Sequence, residues 1–171
     1  MHGPLHDLFL SHPLVIEHKI VVLVYNALFS YHQEEACLNL IDRYNQRAIY
    51  QDTKKNLLMF ASKFPTANSI LIEDANTGSS LIQELPKECS FGIVPISHGG
   101  VKKEIRFYNA TGAMANGNIY IPKQATWLFD FEDSLMQFPN GSHDEDPDCL
   151  AQFLTWFKNN SIDWDKMFMV F

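Results

Sequence analysis

Three short apolar segments constrain the fold of this chain more than any other feature. Residues 18–28, 69–73 and 92–97 are rich in Val, Ile and Leu, which is typical of strands buried on both faces of a sheet. None of them has the ~20 apolar residues that a membrane-spanning helix needs. Because segments of helical pattern alternate with these strands, the sequence predicts an α/β protein built in layers.

The remaining elements complete a mixed sheet. Residues 36–46 predict an antiparallel neighbour for the strand at 18–28, and residues 119–121 predict a further short strand. Helical spacing of apolar residues predicts five helices, at 54–64, 79–85, 102–115, 126–138 and 147–157. We therefore expect a mixed central β-sheet flanked by helices.

Composition limits the classes of function. The 171 residues carry a formal net charge of −7, which argues against nucleic-acid binding through a global basic field. The three scattered cysteines indicate a reducing compartment and no disulfide framework. The chain has no internal repeat or linker, which predicts a single domain over residues 1–171. Its start lacks the features of a signal peptide, so we expect a cytoplasmic protein without membrane contact.

Two groups of carboxylates lie beside the ends of expected elements. Glu73 and Asp74 end an apolar strand, a position that commonly lines the crevice of an α/β sheet. Asp144 and Asp148 begin the last helix at i, i+4 spacing, which places them on one face. Carboxylate ligands suit Mg²⁺ or Mn²⁺, and two such ions can cleave a phosphodiester bond. The alternative is structural, because acidic residues at a helix N-terminus also interact favourably with the helix dipole.

The densest basic cluster consists of Lys102, Lys103 and Arg106. These side chains could contact a phosphate backbone, or they could form an ordinary solvated helix face. The sequence contains neither the Gly-Lys-Ser/Thr of a Walker phosphate loop nor the G-x-S-x-G of an acyl hydrolase, which argues against both classes.

Several of these segments together resemble a known family. ILIEDANTGSSLIQEL, GGVKKEIRF, NGNIYIP and FPNGSHDEDPDCLAQFLTWF follow one another as in the C-terminal nuclease domain of tailed-phage terminase large subunits. The resemblance covers residues 38–158, whereas residues 1–35 are atypical. It implies an RNase H-like fold and a divalent-metal-dependent endonuclease, encoded by a phage or prophage in a bacterial host, that cuts concatemeric DNA during genome packaging.

The resemblance also implies roles for the carboxylates. Glu73 corresponds to the second acidic position of the family, with Asp74 as a further candidate ligand. Asp144 corresponds to the third acidic position, and Asp148 supports it one turn later. The first position should be an aspartate, but the first strand offers only Asn26. This set would hold Mg²⁺ or Mn²⁺, with two ions expected.

The implied partners follow from the same resemblance. Lys103 and Arg106 match the basic pair of the family, which implies contacts with double-stranded DNA, and Lys102 adjoins them. No ATPase domain is recognisable, so a separate terminase ATPase, a small terminase subunit or a portal protein are the protein partners implied.

Two alternatives stay open at this point. Asn26, and Glu145 in place of a second aspartate of the H-D-D motif, favour a catalytically impaired RNase H-like remnant that acts as an interaction module or is a prophage relic. An unrelated α/β binding domain, in which the carboxylates are caps and surface charges, is the other alternative.

Overall fold

The computed structural model describes residues 20–24, 27–32, 37–45, 48–65, 67, 69–115, 117 and 119–160. The strands are β1 (Ile20–Val24), β2 (Ala27–His32), β3 (Cys37–Arg43), β4 (Ser69–Glu73), β5 (Gly92–Ile96) and β6 (Ile119–Tyr120). The helices are α1 (Tyr50–Ser62), α2 (Thr77–Glu84), α3 (Lys103–Ala115), α4 (Leu128–Gln137) and α5 (Glu145–Asn160). A single 3₁₀ turn, Leu85–Lys87, follows α2.

All six strands belong to one sheet, in the order β5-β4-β1-β2-β3-β6. The first three strands form an antiparallel meander, since β1 pairs with β2 and β2 with β3. β4 runs parallel to β1, β5 runs parallel to β4, and β6 runs parallel to β3. The predicted α/β class with a mixed sheet is therefore confirmed.

The apolar segment at 18–28 is two strands, and its prediction as one strand is wrong. β1 ends at Val24 and β2 begins at Ala27, and these two residues pair across the antiparallel ladder. The predicted neighbour at 36–46 contains β3, which pairs with β2 and not with β1. Periodicity could not separate the strands, because a strand buried on both faces reads as a continuous apolar run.

Helices cover both faces of the sheet, and β4 shows why. Ile70 and Ile72 pack with residues of α1 and α2, whereas Leu71 belongs to the core on the opposite face, with α3, α4 and α5. Successive side chains of a strand point to opposite faces, so the run SILIE serves two cores at once. Its central residues are fully buried.

Helix α5 is anchored to the sheet by aromatic packing. The rings of Phe29 in β2 and Phe153 in α5 are stacked with centroids 4.1 Å apart. Phe157, one turn further along α5, packs against Phe153 and against Tyr31. Each buried Phe side chain contributes about 1.5–3 kcal/mol relative to an exposed one. These contacts fix the position of the acidic first turn of α5.

Most predicted helices lie within a few residues of their expected positions. α2 begins at Thr77 and α5 begins at Glu145, each two residues before the expected start. Pro147 stands in the first turn of α5, where its missing N–H costs no helical hydrogen bond. Within the part of the chain that the structure describes, no helix is long and apolar enough to span a membrane.

Candidate active site

The carboxyl ends of three parallel strands meet at one edge of the sheet. Glu73, the last residue of β4, pairs with Ile96, the last residue of β5. β1 pairs with β4 through Val24 and Leu71, so β1 ends at the same edge. His98 follows β5, and its Nε2 lies 3.6 Å from Glu73 Oε1. Glu73 therefore occupies the position at which α/β sheets commonly bind their ligands.

Two other predicted site residues lie at the start of α5: Asp144 directly precedes the helix, and Asp148 lies in its first turn. The Asp148 N–H donates to the Asp144 carbonyl oxygen at 3.1 Å, which is the bond that their i, i+4 spacing predicts. The Asp148 side chain is 8% exposed and the Asp144 side chain is 44% exposed. Both carboxylates point to the beginning of α3.

The beginning of α3 supplies the cations that meet these carboxylates. Lys103 Nζ lies 3.0 Å from Asp144 Oδ2 and 3.7 Å from Asp148 Oδ2. One turn later, Arg106 donates from Nη2 to Asp148 Oδ1, and from Nη1 to the carbonyl oxygen of Val101 at 2.9 Å. Lys103 and Arg106 thus join α3 to α5 beside the edge of the sheet.

The charge state of Lys103 follows from these contacts. Burial disfavours the ammonium, but the hydrogen bond to Asp144 and the charges of Asp148, Asp144 and Glu73 outweigh burial and raise the pKa of Lys103. The group is therefore fully protonated at neutral pH.

His98 lies beside Glu73, and charged residues of α3 affect its pKa. Burial lowers the pKa of His98 and the charge of Arg106 lowers it further, against the opposing charges of Glu73 and Asp148. Its Nε2 is buried and has no hydrogen-bond partner among the described residues. The lowered pKa favours the neutral form of this imidazole at neutral pH.

These elements enclose a cleft of about 250 Å³. Glu73, Lys103, Glu145 and Asp148 line it, together with residues 75–78, which lead into and begin α2, and two further residues of α5. The Oε2 atom of Glu145 is buried and accepts no hydrogen bond from a described residue. The cleft thus brings together carboxylates from β4 and from α5, which are more than seventy residues apart in the sequence.

Four predicted site residues are described by the structure but do not line this cleft: Asp74, Lys102, Asp144 and Arg106. Asp74 Oδ1 accepts a hydrogen bond from Ser79 Oγ at 2.7 Å, and its exposed side chain is not part of the cleft lining. Lys102 is exposed. Asn26 lies outside the described residues. The metal-binding roles of Asp74 and Asn26, and the DNA-binding role of Lys102, stay predictions.

Sequence reasoning missed two groups at this site. His98, which has no predicted role, lies 3.6 Å from Glu73, and its place just after a strand that is parallel to β4 was an available signal. Glu145 was identified only as a departure from the motif of the family, although it lines the cleft.

Asp146 lies between Asp144 and Asp148 in the sequence, but its side chain has a structural role. Arg43 of β3 donates from Nε and Nη2 to its two carboxylate oxygens at 2.7 and 2.6 Å. Ser134 of α4 donates to Oδ2 at 3.1 Å. This paired carboxylate points away from Lys103 and links α5 to the sheet and to α4.

The cleft fits a hard divalent cation in the chemistry of its charged donors. Glu73, Glu145 and Asp148 offer carboxylate oxygens. Glu145 Oε2 accepts no hydrogen bond from a described residue, and His143 Nδ1 lies 3.7 Å from it. Mg²⁺ is commonly held by one or two carboxylates, with water and substrate phosphate as the other ligands. Among the residues that the structure describes, no group of three His, Cys, Asp or Glu side chains is arranged to hold a metal by itself.

Comparison with known proteins gives no match for this chain. No protein-family model matches the chain, and no curated protein matches it. The site therefore has to be interpreted from its own residues.

Gly78 determines how closely α2 approaches Glu73. A Cβ atom at position 78 would lie 2.0 Å from the carbonyl oxygen of Glu73, a distance that only a backbone shift could relieve. We expect Gly78→Ala to lower the free energy of unfolding by about 1–3 kcal/mol, measured by urea denaturation.

Gly112 in α3 is the matched control. A Cβ atom there would meet no atom within 4 Å, so Gly112→Ala should raise the free energy of unfolding by about 0.5–1 kcal/mol through helix propensity. Equal free energies of unfolding for the two variants would show that position 78 tolerates a Cβ atom next to the Glu73 carbonyl oxygen.

Proposed function

We propose that this chain is a divalent-metal-dependent DNA endonuclease domain of the terminase type. The observation that carries the proposal is one cleft that is lined by both Glu73 from β4 and Asp148 from α5. Lys103 of α3 also lines this cleft and pairs with Asp148. The terminase resemblance assigned the second acidic position to Glu73 and the third to Asp144, with Asp148 as its supporting residue. Asp148 lines the cleft, whereas Asp144 does not and is joined to it through Lys103. The proximity of Glu73 and Asp148 in space is the arrangement that a nuclease of this type requires.

We also propose that the fold is RNase H-like. The support is the sheet, in which an antiparallel three-stranded meander continues through β1 into the parallel strands β4 and β5. The acidic residues at the end of β4 and at the start of α5 then lie at one edge of that sheet. This is the placement that the resemblance implies.

Glu73, Asp148 and Glu145 are the residues that would hold Mg²⁺ or Mn²⁺. Such an ion activates water and stabilises the leaving oxygen in phosphodiester cleavage. Arg106 and Lys103 hold the Asp148 carboxylate in place, and His98 adjoins Glu73 without neutralising it. Asp144 is half-exposed and keeps Lys103 directed at the cleft.

Double-stranded DNA is the proposed substrate. The net charge of −7 provides no general attraction for DNA, so binding would depend on local groups such as Lys102 and on partner proteins. A separate terminase ATPase, a small terminase subunit or a portal protein are the partners that we propose.

The direct test is Mn²⁺-dependent nicking of a supercoiled plasmid by the purified chain, with EDTA as the metal-free reference. A melt in millimolar Mn²⁺ accompanies it, because a ligand at 100 times its Kd stabilises by about 2.7 kcal/mol, or roughly 5–10 °C for a chain of this size. Nicking together with a metal-dependent rise in Tm supports the proposal.

The second candidate function is the catalytically impaired interaction module. The observation that favours it is the pairing of Asp144 and Asp148 with Lys103 and Arg106, which uses charge that metal ions would need, in a chain with Asn26 at the first acidic position. Asn26→Asp separates the candidates: a gain of nicking over an inactive wild type assigns the chain to the impaired class.

A further inference from the structure

Strand β5 lies at one end of the six-stranded sheet. Its parallel neighbour is β4, and no described strand pairs with its outer side. A strand at the edge of a sheet presents unpaired N–H and C=O groups, which can pair with a strand of another chain. Whether this edge can do so depends on the residues of β5 whose backbone groups point away from β4.

The hydrogen bonds between β4 and β5 identify those residues. The Asp74 N–H donates to the Ile96 carbonyl oxygen at 2.8 Å, so the backbone groups of Ile96 point to β4. Successive residues of a strand direct their N–H and C=O groups to alternate sides. The backbone groups of Val94 therefore also point to β4, whereas those of Ile93 and Pro95 point to the open edge.

Pro95 interrupts the row of donors along that open edge. Proline has no N–H, and within sheets it is found on edge strands or at bulges. The residue is exposed, so a strand of another chain could reach it. Such a strand would meet a carbonyl oxygen at position 95 but no donor, and the proline ring would occupy the space of the missing hydrogen.

The rest of β5 has the composition of a strand that pairs readily. Its sequence GIVPI contains three β-branched residues and no charged residue, and uncharged segments of high β-propensity favour strand addition. Charged side chains, which protect many edges, are therefore not the device used in β5. The opposite edge, β6, contains only Ile119–Tyr120, and a very short edge strand offers little to pair with.

We propose that Pro95 blocks strand addition at the open edge of β5 and so prevents two copies of this chain from joining their sheets. This inference is independent of the proposed nuclease function. Pro95→Val restores the N–H and keeps the strand β-branched and uncharged. Two copies of that variant can then pair β5 with β5 in antiparallel orientation across a two-fold axis.

The test is sedimentation equilibrium of the full chain at increasing protein concentration. The samples are wild type, Pro95→Val, and Pro95→Val combined with Ser97→Pro. Ser97 is exposed and its backbone groups point to the same open edge, so the double variant removes a donor two residues further along. We expect self-association of Pro95→Val to be at least about 10-fold tighter than that of wild type, because a two-fold pair gains two hydrogen bonds. The double variant should return to the wild-type value.

Two outcomes overturn the proposal. Equal self-association of wild type and Pro95→Val would show that the missing N–H does not protect this edge. Equally tight association of Pro95→Val and of the double variant would assign the effect to the side chain at position 95. Circular dichroism confirms that each sample is folded, and Pro95→Thr replaces Pro95→Val if that variant does not fold.

Discussion

Glu73→Gln is expected to reduce Mn²⁺-dependent plasmid nicking at least about 100-fold, which corresponds to about 2.7 kcal/mol of lost transition-state stabilisation. Glutamine keeps the size of the side chain but removes the charge that holds a hard cation. The Tm in EDTA should change little, because the Glu73 side chain is 40% exposed and the His98 imidazole, 3.6 Å away, has a lowered pKa that favours its neutral form. The rise in Tm that Mn²⁺ causes in wild type should disappear.

Glu104→Gln is the matched control for this experiment. Glu104 is exposed in the first turn of α3, next to Lys103, so its substitution changes the net charge by the same amount near the same cleft. It should retain both nicking and the metal-dependent rise in Tm. Wild-type nicking by Glu73→Gln would remove Glu73 from the site and contradict the proposed function.

Asp146→Ala is expected to lower the free energy of unfolding by about 3–5 kcal/mol. Asp146 is 3% exposed and receives both hydrogen bonds of the Arg43 fork, whose side chain is 10% exposed. Its removal leaves a buried guanidinium without a counter-charge, whereas Ser134 keeps the carbonyl oxygen of Phe131 as an acceptor. Urea denaturation measures the loss, provided that the slope m is unchanged.

A double substitution tests the cause of that loss. Arg43→Met combined with Asp146→Leu removes both charges and should recover most of the stability, because apolar replacement of a buried ion pair is often neutral or stabilising. Asp130→Ala, an exposed acid in the first turn of α4, should cost less than about 1 kcal/mol. A loss of similar size for Asp130→Ala and Asp146→Ala would contradict the importance of the ion pair.

Much of the fold could be predicted from local pattern. The expected strands at 69–73 and 92–97 and the helices from α1 to α5 are present within a few residues, because the spacing of apolar residues reports which backbone geometry buries them. The first apolar segment was predicted as one strand because apolar residues stand on both sides of Asn26, and periodicity alone does not mark the change from one strand to the next.

The candidate site could be predicted only in part. Glu73, Asp144 and Asp148 were identified from their places at element ends, and the structure brings Glu73 and Asp148 into one cleft, with Asp144 joined to it through Lys103. Lys103 and Arg106 are predicted to contact DNA, and in the structure their side chains form ion pairs with Asp144 and Asp148. A basic residue on a helix does not reveal from sequence whether it faces solvent or an acidic neighbour.

The sequence by itself determined the types and order of the elements and the carboxylates at their ends, because helix and strand periodicity is a property of neighbouring residues. Only the tertiary structure decided the pairs: Lys103 meets Asp144 across 41 positions, and Arg43 meets Asp146 across 103 positions. Of the three aspartates at 144, 146 and 148, two face α3 and one faces Arg43. The packing of Phe153 and Phe157 sets the rotation of α5 about its axis, and this rotation determines which aspartates face α3 and which faces Arg43. No local sequence pattern reports that rotation.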